Sequence, residues 1–122
     1  MSKVIALDAG HGLYTAGKRC LKALDAKETR EWVLNDRIVD KLQKMLANYD
    51  CKVVRVDDTT GASDVALANR VVKANNEKAD IYISVHHNAG INGGNGGGTV
   101  VYHYNDAPSK ASAQRLYNAI VE

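Results

Sequence analysis

Val4-Ile5-Ala6-Leu7-Asp8-Ala9-Gly10-His11-Gly12 is the stretch that decides the fold. Four apolar side chains run in succession from Val4 to Leu7. They are bounded by an aspartate and a glycine-rich turn, which reads as a buried strand. Outward from it, residues 9 to 27 form a long connection, of the kind that often carries function in a small domain. Residues 28 to 48 follow with Leu34, Ile38, Leu42, Met45, Leu46 and Tyr49 at helical spacings. Lys52 to Val56 is a valine-rich second strand. Ser63 is positioned to cap a helix over 64 to 77, with Val65, Leu67, Ala68, Val71, Val72 and Ala74 as its apolar members. Asp80 to His86 alternates as a third strand, with Ile81, Ile83 and Val85 on one face and Tyr82, Ser84 and His86 on the other. A glycine- and asparagine-rich loop covers 88 to 98. Thr99 to Tyr104 reads as a fourth strand, and Asp106 and Pro108 mark the start of a last helix. Strands alternating with helices predict an α/β fold, a mostly parallel twisted sheet flanked by helices. No repeat or linker interrupts it, so residues 1–122 are expected to form a single domain.

Composition agrees with that reading. The 122 residues suffice for one compact domain, and 45% hydrophobic with 25% charged residues is ordinary for a globular chain. A formal charge of +2 leaves no nucleic-acid footprint. No run approaches membrane-spanning length. The first apolar stretch is too short for a signal peptide and lacks a cleavage site. Synthesis in the cytoplasm is expected, with delivery by another route if the protein acts outside. Cys20 and Cys51 show no CxxC pairing. Two free thiols are favoured over a disulfide between them.

Parallel α/β sheets place ligands outside the carboxyl ends of their strands. His11 follows the first strand and His86 closes the third, so two histidines converge on that edge. Glu31 lies three, seven and eleven residues before Leu34, Ile38 and Leu42, at the head of the apolar stripe. A carboxylate there is costly unless it is paired or bound to a cation. A first-turn glutamate that merely favours the helix dipole describes Glu28 better. Two histidines, a carboxylate and an open fourth position are what a hydrolytic zinc site needs. Gly10-His11-Gly12 also contains a GxG, but a dinucleotide site would want glycine where Thr15 stands. His103 reads as an exposed strand-end residue.

Several ordered pieces then resemble the zinc-dependent N-acetylmuramoyl-L-alanine amidases of the Amidase_3 type, found in bacterial autolysins and phage endolysins. These are Leu7-Asp8-Ala9-Gly10-His11-Gly12, Glu31-Trp32-Val33-Leu34-Asn35, Arg70 with Ala74-Asn75, Ala79 through Ala89, and Gly97-Gly98-Thr99-Val100. Together they cover nearly the whole chain. The resemblance implies Zn2+ on His11, Glu31 and His86. It implies hydrolysis of the bond between the muramic acid lactyl group and L-alanine in peptidoglycan. His86 aligns with the family ligand and His87 falls where the family varies, so His86 is the preferred ligand. His87 and Asn88 are expected to line the cleft and contact substrate.

The family continues past the helix that ends here, with a strand carrying a general-base glutamate, and nothing in this chain matches that strand. The expectation is therefore the N-terminal portion of the family domain, lacking the last strand and helix. Such a chain would bind zinc with strongly reduced amidase activity, its catalytic base unassigned. Sheet surface left bare by the missing edge would favour self-association. The absence of a signal peptide resembles phage endolysins, which act on the cell wall after release through a membrane pore. Two alternatives stand beside the amidase: a non-catalytic zinc-containing module that binds peptidoglycan, and a zinc peptidase of another type.

Overall fold

The structure, a computed structural model, describes residues 2–89 and 95–122. The elements run β1 (Lys3–Ala9), α1 (Glu31–Leu46), β2 (Cys51–Arg55), α2 (Leu67–Asn76), β3 (Ile81–Val85) and α3 (Ala107–Val121). They group into two compact units, Met1–His87 and Asn88–Glu122. The first holds a three-stranded parallel sheet in the order β2-β1-β3. The α/β reading therefore holds. No described helix is long and apolar enough to cross a membrane.

Strand β1 is central, and its apolar run serves two cores at once. Ile5, Leu7 and Ala9 face α1 and meet Trp32 and Val39, joined by Val53, Ile83 and Val85 from the neighbouring strands. Val4 and Ala6 face the other way, toward Ala74 of α2, with Val54, Val56 and Tyr82. Period-two alternation thus divides one strand between two helices. Leu7 is wholly buried, and withdrawing a leucine side chain from water is worth about 1.5–3 kcal/mol.

Both helices of the first unit differ in detail from the sequence reading. Helix α1 starts at Glu31 because Arg30, its N-cap, is extended at φ −74° and ψ 141°, and Glu28 before it has φ +49°, a left-handed backbone foreign to the helix. Glu28 lies in the preceding loop, 3.5 Å from Arg19, and is not a first-turn glutamate. The inward face of α1 carries Trp32, Asn35 and Val39 with Leu42 and Leu46 packed beside them. Ile38, Met45 and Tyr49 are exposed. Helix α2 starts at Leu67 with Ala66 at its N-cap, so Ser63 does not cap it. The backbone N–H of Ser63 instead donates to Asp58, which ties the 58–63 turn. The inward face of α2 is Arg70 and Ala74, while Leu67, Val71 and Val72 are exposed.

In the second unit α3 begins as expected. The Asp106 side chain accepts from the Ser109 N–H at 2.7 Å, and Pro108 sits in the first turn, where its missing N–H costs nothing. Thr99 to Tyr104 is not a strand: none of these residues is laddered to another among the described residues, and Val100, Tyr102 and Tyr104 are exposed. Of the 88–98 loop, residues 90–94 lie outside the described residues. Cys20 and Cys51 are free thiols.

Candidate functional site

The site forms at the carboxyl end of the sheet. His11 follows β1 through a turn whose geometry is set by a buried arginine. Arg70 donates from Nη1 to Asp8 Oδ1 at 2.5 Å and to the Ala9 carbonyl at 2.9 Å. From Nη2 it reaches the His11 carbonyl and Asp64 Oδ1, both at 3.0 Å, and its Nε holds the Val65 carbonyl at 2.7 Å. Asp8 is itself satisfied on its other oxygen by Ser84 and Tyr82 hydroxyls at 2.8 and 3.0 Å. Those two hydroxyls come from β3 residues that share a face with Asp8. The negative Asp8 beside it pushes the Tyr82 phenol up, after burial as the first cause. His11 takes φ +65°, a left-handed conformation that costs a non-glycine residue on the order of 1–3 kcal/mol and that collects at functional sites. The Arg70 grip on its carbonyl holds it there.

Glu31 is the first residue of α1 and stands in phase with Asn35, Val39, Leu42 and Leu46. The carboxylate therefore heads the buried face, as expected, although the stripe behind it is Asn35–Val39–Leu42–Leu46 rather than the one through Leu34 and Ile38. Glu31 Oε2 lies 3.4 Å from His11 Nε2, and Oε1 lies 3.2 Å from His86 Nδ1. Oε1 also accepts the His87 backbone N–H at 3.1 Å and Asn35 Nδ2 at 3.3 Å. The His11 and His86 rings meet edge to face, centroids 4.9 Å apart. One ligand atom from each of His11, Glu31 and His86 lies within 4.8 Å of the other two.

Strand β3 ends at Val85, so His86 and His87 are free of strict alternation and both turn toward Glu31. The two differ in how they meet it. His86 offers ring Nδ1, whereas His87 offers its backbone and sends its ring to Asn35 Oδ1 at 2.7 Å. That difference agrees with His86 as the member of the cluster. Asn88 is exposed and belongs to the second unit. His103 is exposed, its Nδ1 facing the Tyr104 carbonyl, and it lines a cavity with Thr99, Val100, Lys110 and Tyr117 that shares no residue with the cluster.

Protonation equilibria suit a cation. Burial lowers the His11 pKa, helped by His86 and Lys18 and opposed by Glu31 and Asp64, so the neutral ring is favoured. Burial also works to raise Glu31, but the His87 N–H, Asn35 and the two histidines outweigh it and hold the carboxyl below its usual value. A neutral imidazole and an ionised carboxylate are the forms that ligate metals. Two residues were quoted in the sequence motifs without a role of their own. Asn35 is wholly buried and central to the cluster, with its spacing of four from Glu31 as the available signal. Gly10 is the other. A Cβ there would lie 2.2 Å from His86 Cε1, so only glycine lets the ring settle on the turn.

A parallel α/β unit with a His–Glu–His cluster at the carboxyl edge of its sheet defines the class. The chain belongs to the N-acetylmuramoyl-L-alanine amidase family Amidase_3, whose model matches residues 5–122. An endolysin of Bacillus phage SPP1 is 38% identical over 125 residues, covering 98% of this chain and 42% of that protein. Among solved structures, an N-acetylmuramoyl-L-alanine amidase from Clostridium difficile is 30% identical with a TM-score of 0.77, covering 98% of this chain and 63% of that one. The catalytic domain of CwlV, an amidase from Bacillus (Paenibacillus) polymyxa, is 25% identical with a TM-score of 0.71, over 95% of this chain and 61% of that one. The chain thus spans about two fifths of the endolysin it matches.

Proposed function

We propose that this chain is the metal-binding portion of a peptidoglycan amidase, holding Zn2+ on His11, Glu31 and His86 and acting on the N-acetylmuramoyl-L-alanine bond. The observation that carries the proposal is the convergence of two imidazoles and one carboxylate within 4.8 Å. The donor set fits zinc. Metal–ligand bonds of about 2.0–2.1 Å give a tetrahedral edge of roughly 3.3 Å. His11 Nε2 and His86 Nδ1 stand at close to that distance from different oxygens of Glu31, Oε2 at 3.4 Å and Oε1 at 3.2 Å, and one ligand atom from each of the three residues lies within 4.8 Å of the others. Zinc bound in such a site polarises a carbonyl and lowers the pKa of a coordinated water.

The protein's own residues do the rest. Arg70 holds the turn that presents His11. Asn35 and the His87 N–H fix the Glu31 carboxylate. His87 and Asn88, both exposed, are the residues we assign to substrate contact. The general base is not assigned.

The test is zinc content of the purified chain beside Glu31→Ala and His86→Ala. Near one zinc per wild-type chain and a large loss in each variant is expected. Full occupancy in both variants would sink the site as drawn. On purified peptidoglycan, new alanine amino groups support the amidase, and new reducing sugar ends overturn it. Binding of the wall without either product would favour a recognition module, and cleavage of plain peptides in preference to muramyl peptides would favour a peptidase.

A further inference from the structure

We propose that Asn35 is a positioning residue that locks His87 in the tautomer protonated on Nδ1, leaving Nε2 as the ring's hydrogen-bond acceptor toward substrate. The Asn35 amide has three partners: the Gly10 carbonyl, Glu31 and His87. Asn35 is wholly buried, so each of its polar atoms requires a partner. Two of those partners are acceptors only: the Gly10 carbonyl at 3.1 Å and Glu31 Oε1 at 3.3 Å. They claim the two N–H groups of Nδ2, which fixes the amide's orientation. Oδ1 therefore faces His87 Nδ1, at 2.7 Å. An amide oxygen only accepts, so Nδ1 must carry the proton.

A neutral imidazole has one donor and one acceptor nitrogen. With Nδ1–H spent on a buried amide and the residue itself exposed, Nε2 is the nitrogen left for solvent or a ligand. Its lone pair suits an N–H donor, and the stem peptide of peptidoglycan is rich in amide N–H groups. The same amide ties three things together: the Gly10 turn that precedes His11, the Glu31 carboxylate, and His87. The chemical link to substrate rests on the amidase reading; the tautomer does not.

The test separates the two. Nitrogen-15 NMR of the imidazole rings in the metal-free chain, at about pH 8 where an ordinary histidine is neutral, assigns each tautomer directly. His87 is expected to show a protonated Nδ1 and a bare Nε2. Asn35→Ala is expected to release the ring toward the Nε2-protonated form. A wild-type ring protonated on Nε2 overturns the proposal whether or not any variant folds, as does an unchanged tautomer in a folded Asn35→Ala.

The substrate arm uses His87→Asn, whose amide N–H can replace Nδ1–H toward Asn35 but which has nothing at Nε2. Affinity for a muramyl dipeptide is expected to fall about tenfold in His87→Asn with zinc content unchanged. Unchanged affinity removes the substrate role while leaving the tautomer standing. No binding by the wild-type chain counts against the amidase reading and the substrate role together, and leaves the tautomer to the spectrum.

Discussion

Gly10→Ala is the sharpest test of the site, because it moves a ligand without touching one. Gly10 does not adopt a positive φ, so alanine is compatible with its backbone. The obstacle is space. The added Cβ would stand 2.2 Å from His86 Cε1 and 2.5 Å from Nδ1 and Nε2. To regain the 3.4 Å of ordinary contact, the ring must retreat by about 1.2 Å. Metal–ligand distances hold to about 0.2 Å, so that retreat is several times what coordination tolerates. Disturbing groups that only support the ligands costs 10–100-fold in metal affinity, so displacing a ligand should cost roughly 100-fold or more. Folding should scarcely notice. The His86 side chain is 44% exposed and can swing into water, and replacing glycine by alanine at a compatible position gains about 0.4–1 kcal/mol. Zinc affinity measured by chelator competition, read beside a thermal melt, checks both halves. Gly97→Ala, where no atom of the described residues beyond the chain neighbours lies within 4 Å of the added Cβ, is the control. A Gly10→Ala chain that binds zinc within threefold of wild type would refute the claim that this glycine exists to seat His86.

Other outcomes follow from the same contacts. Arg70→Met leaves the buried Asp8 carboxylate facing only two hydroxyls, and breaking a buried pair from one side costs about 3–5 kcal/mol, readable by denaturant unfolding. Arg70→Lys should recover little of that, because one ammonium cannot reach Asp8, Ala9, His11, Asp64 and Val65 as a fork does. Asp57 gives a pH prediction. Burial works to raise its pKa, but hydrogen bonds and charge from Arg55, with the Trp32 N–H, hold it below the ordinary carboxylate value. Because the folded pKa is depressed, this stabilisation is complete above the unfolded value of about 3.9 and is lost as pH falls through the folded one. Asp57→Asn should therefore flatten the acid limb of stability against pH, and an unchanged slope would contradict the assignment. Both cysteines should react with a thiol reagent in the unfolded chain without prior reduction.

The parts of this molecule that were legible in its sequence are those where one local rule suffices. Strand β1 was visible as an uninterrupted apolar run because it is covered on both faces, and β3 because its two faces differ. Thr99 to Tyr104 has the same alternating, β-branched and aromatic look, yet forms no ladder among the described residues. Such composition reports how well side chains fit a pleated surface, not whether a partner strand supplies one. Helix α1 shows a second kind of limit. Hydrophobicity pointed to Ile38 and Met45, which are exposed, while the true inward face contains an asparagine that no hydrophobic pattern would select. Glu31 nevertheless heads the inward face, because positions 31, 35, 39, 42 and 46 share it whatever occupies them, although the sequence reading reached Glu31 through Leu34, Ile38 and Leu42. The polar residue that spoils the apolar stripe is the one that organises the cluster. Asn35 is buried at no net cost in unmet hydrogen bonds because the site supplies all three of its partners, and the site is ordered because Asn35 uses all three. A pattern search discards such a residue as noise, whereas a count of donors and acceptors in the folded chain identifies it as the point where the Gly10 turn, the Glu31 carboxylate and the His87 ring are tied together.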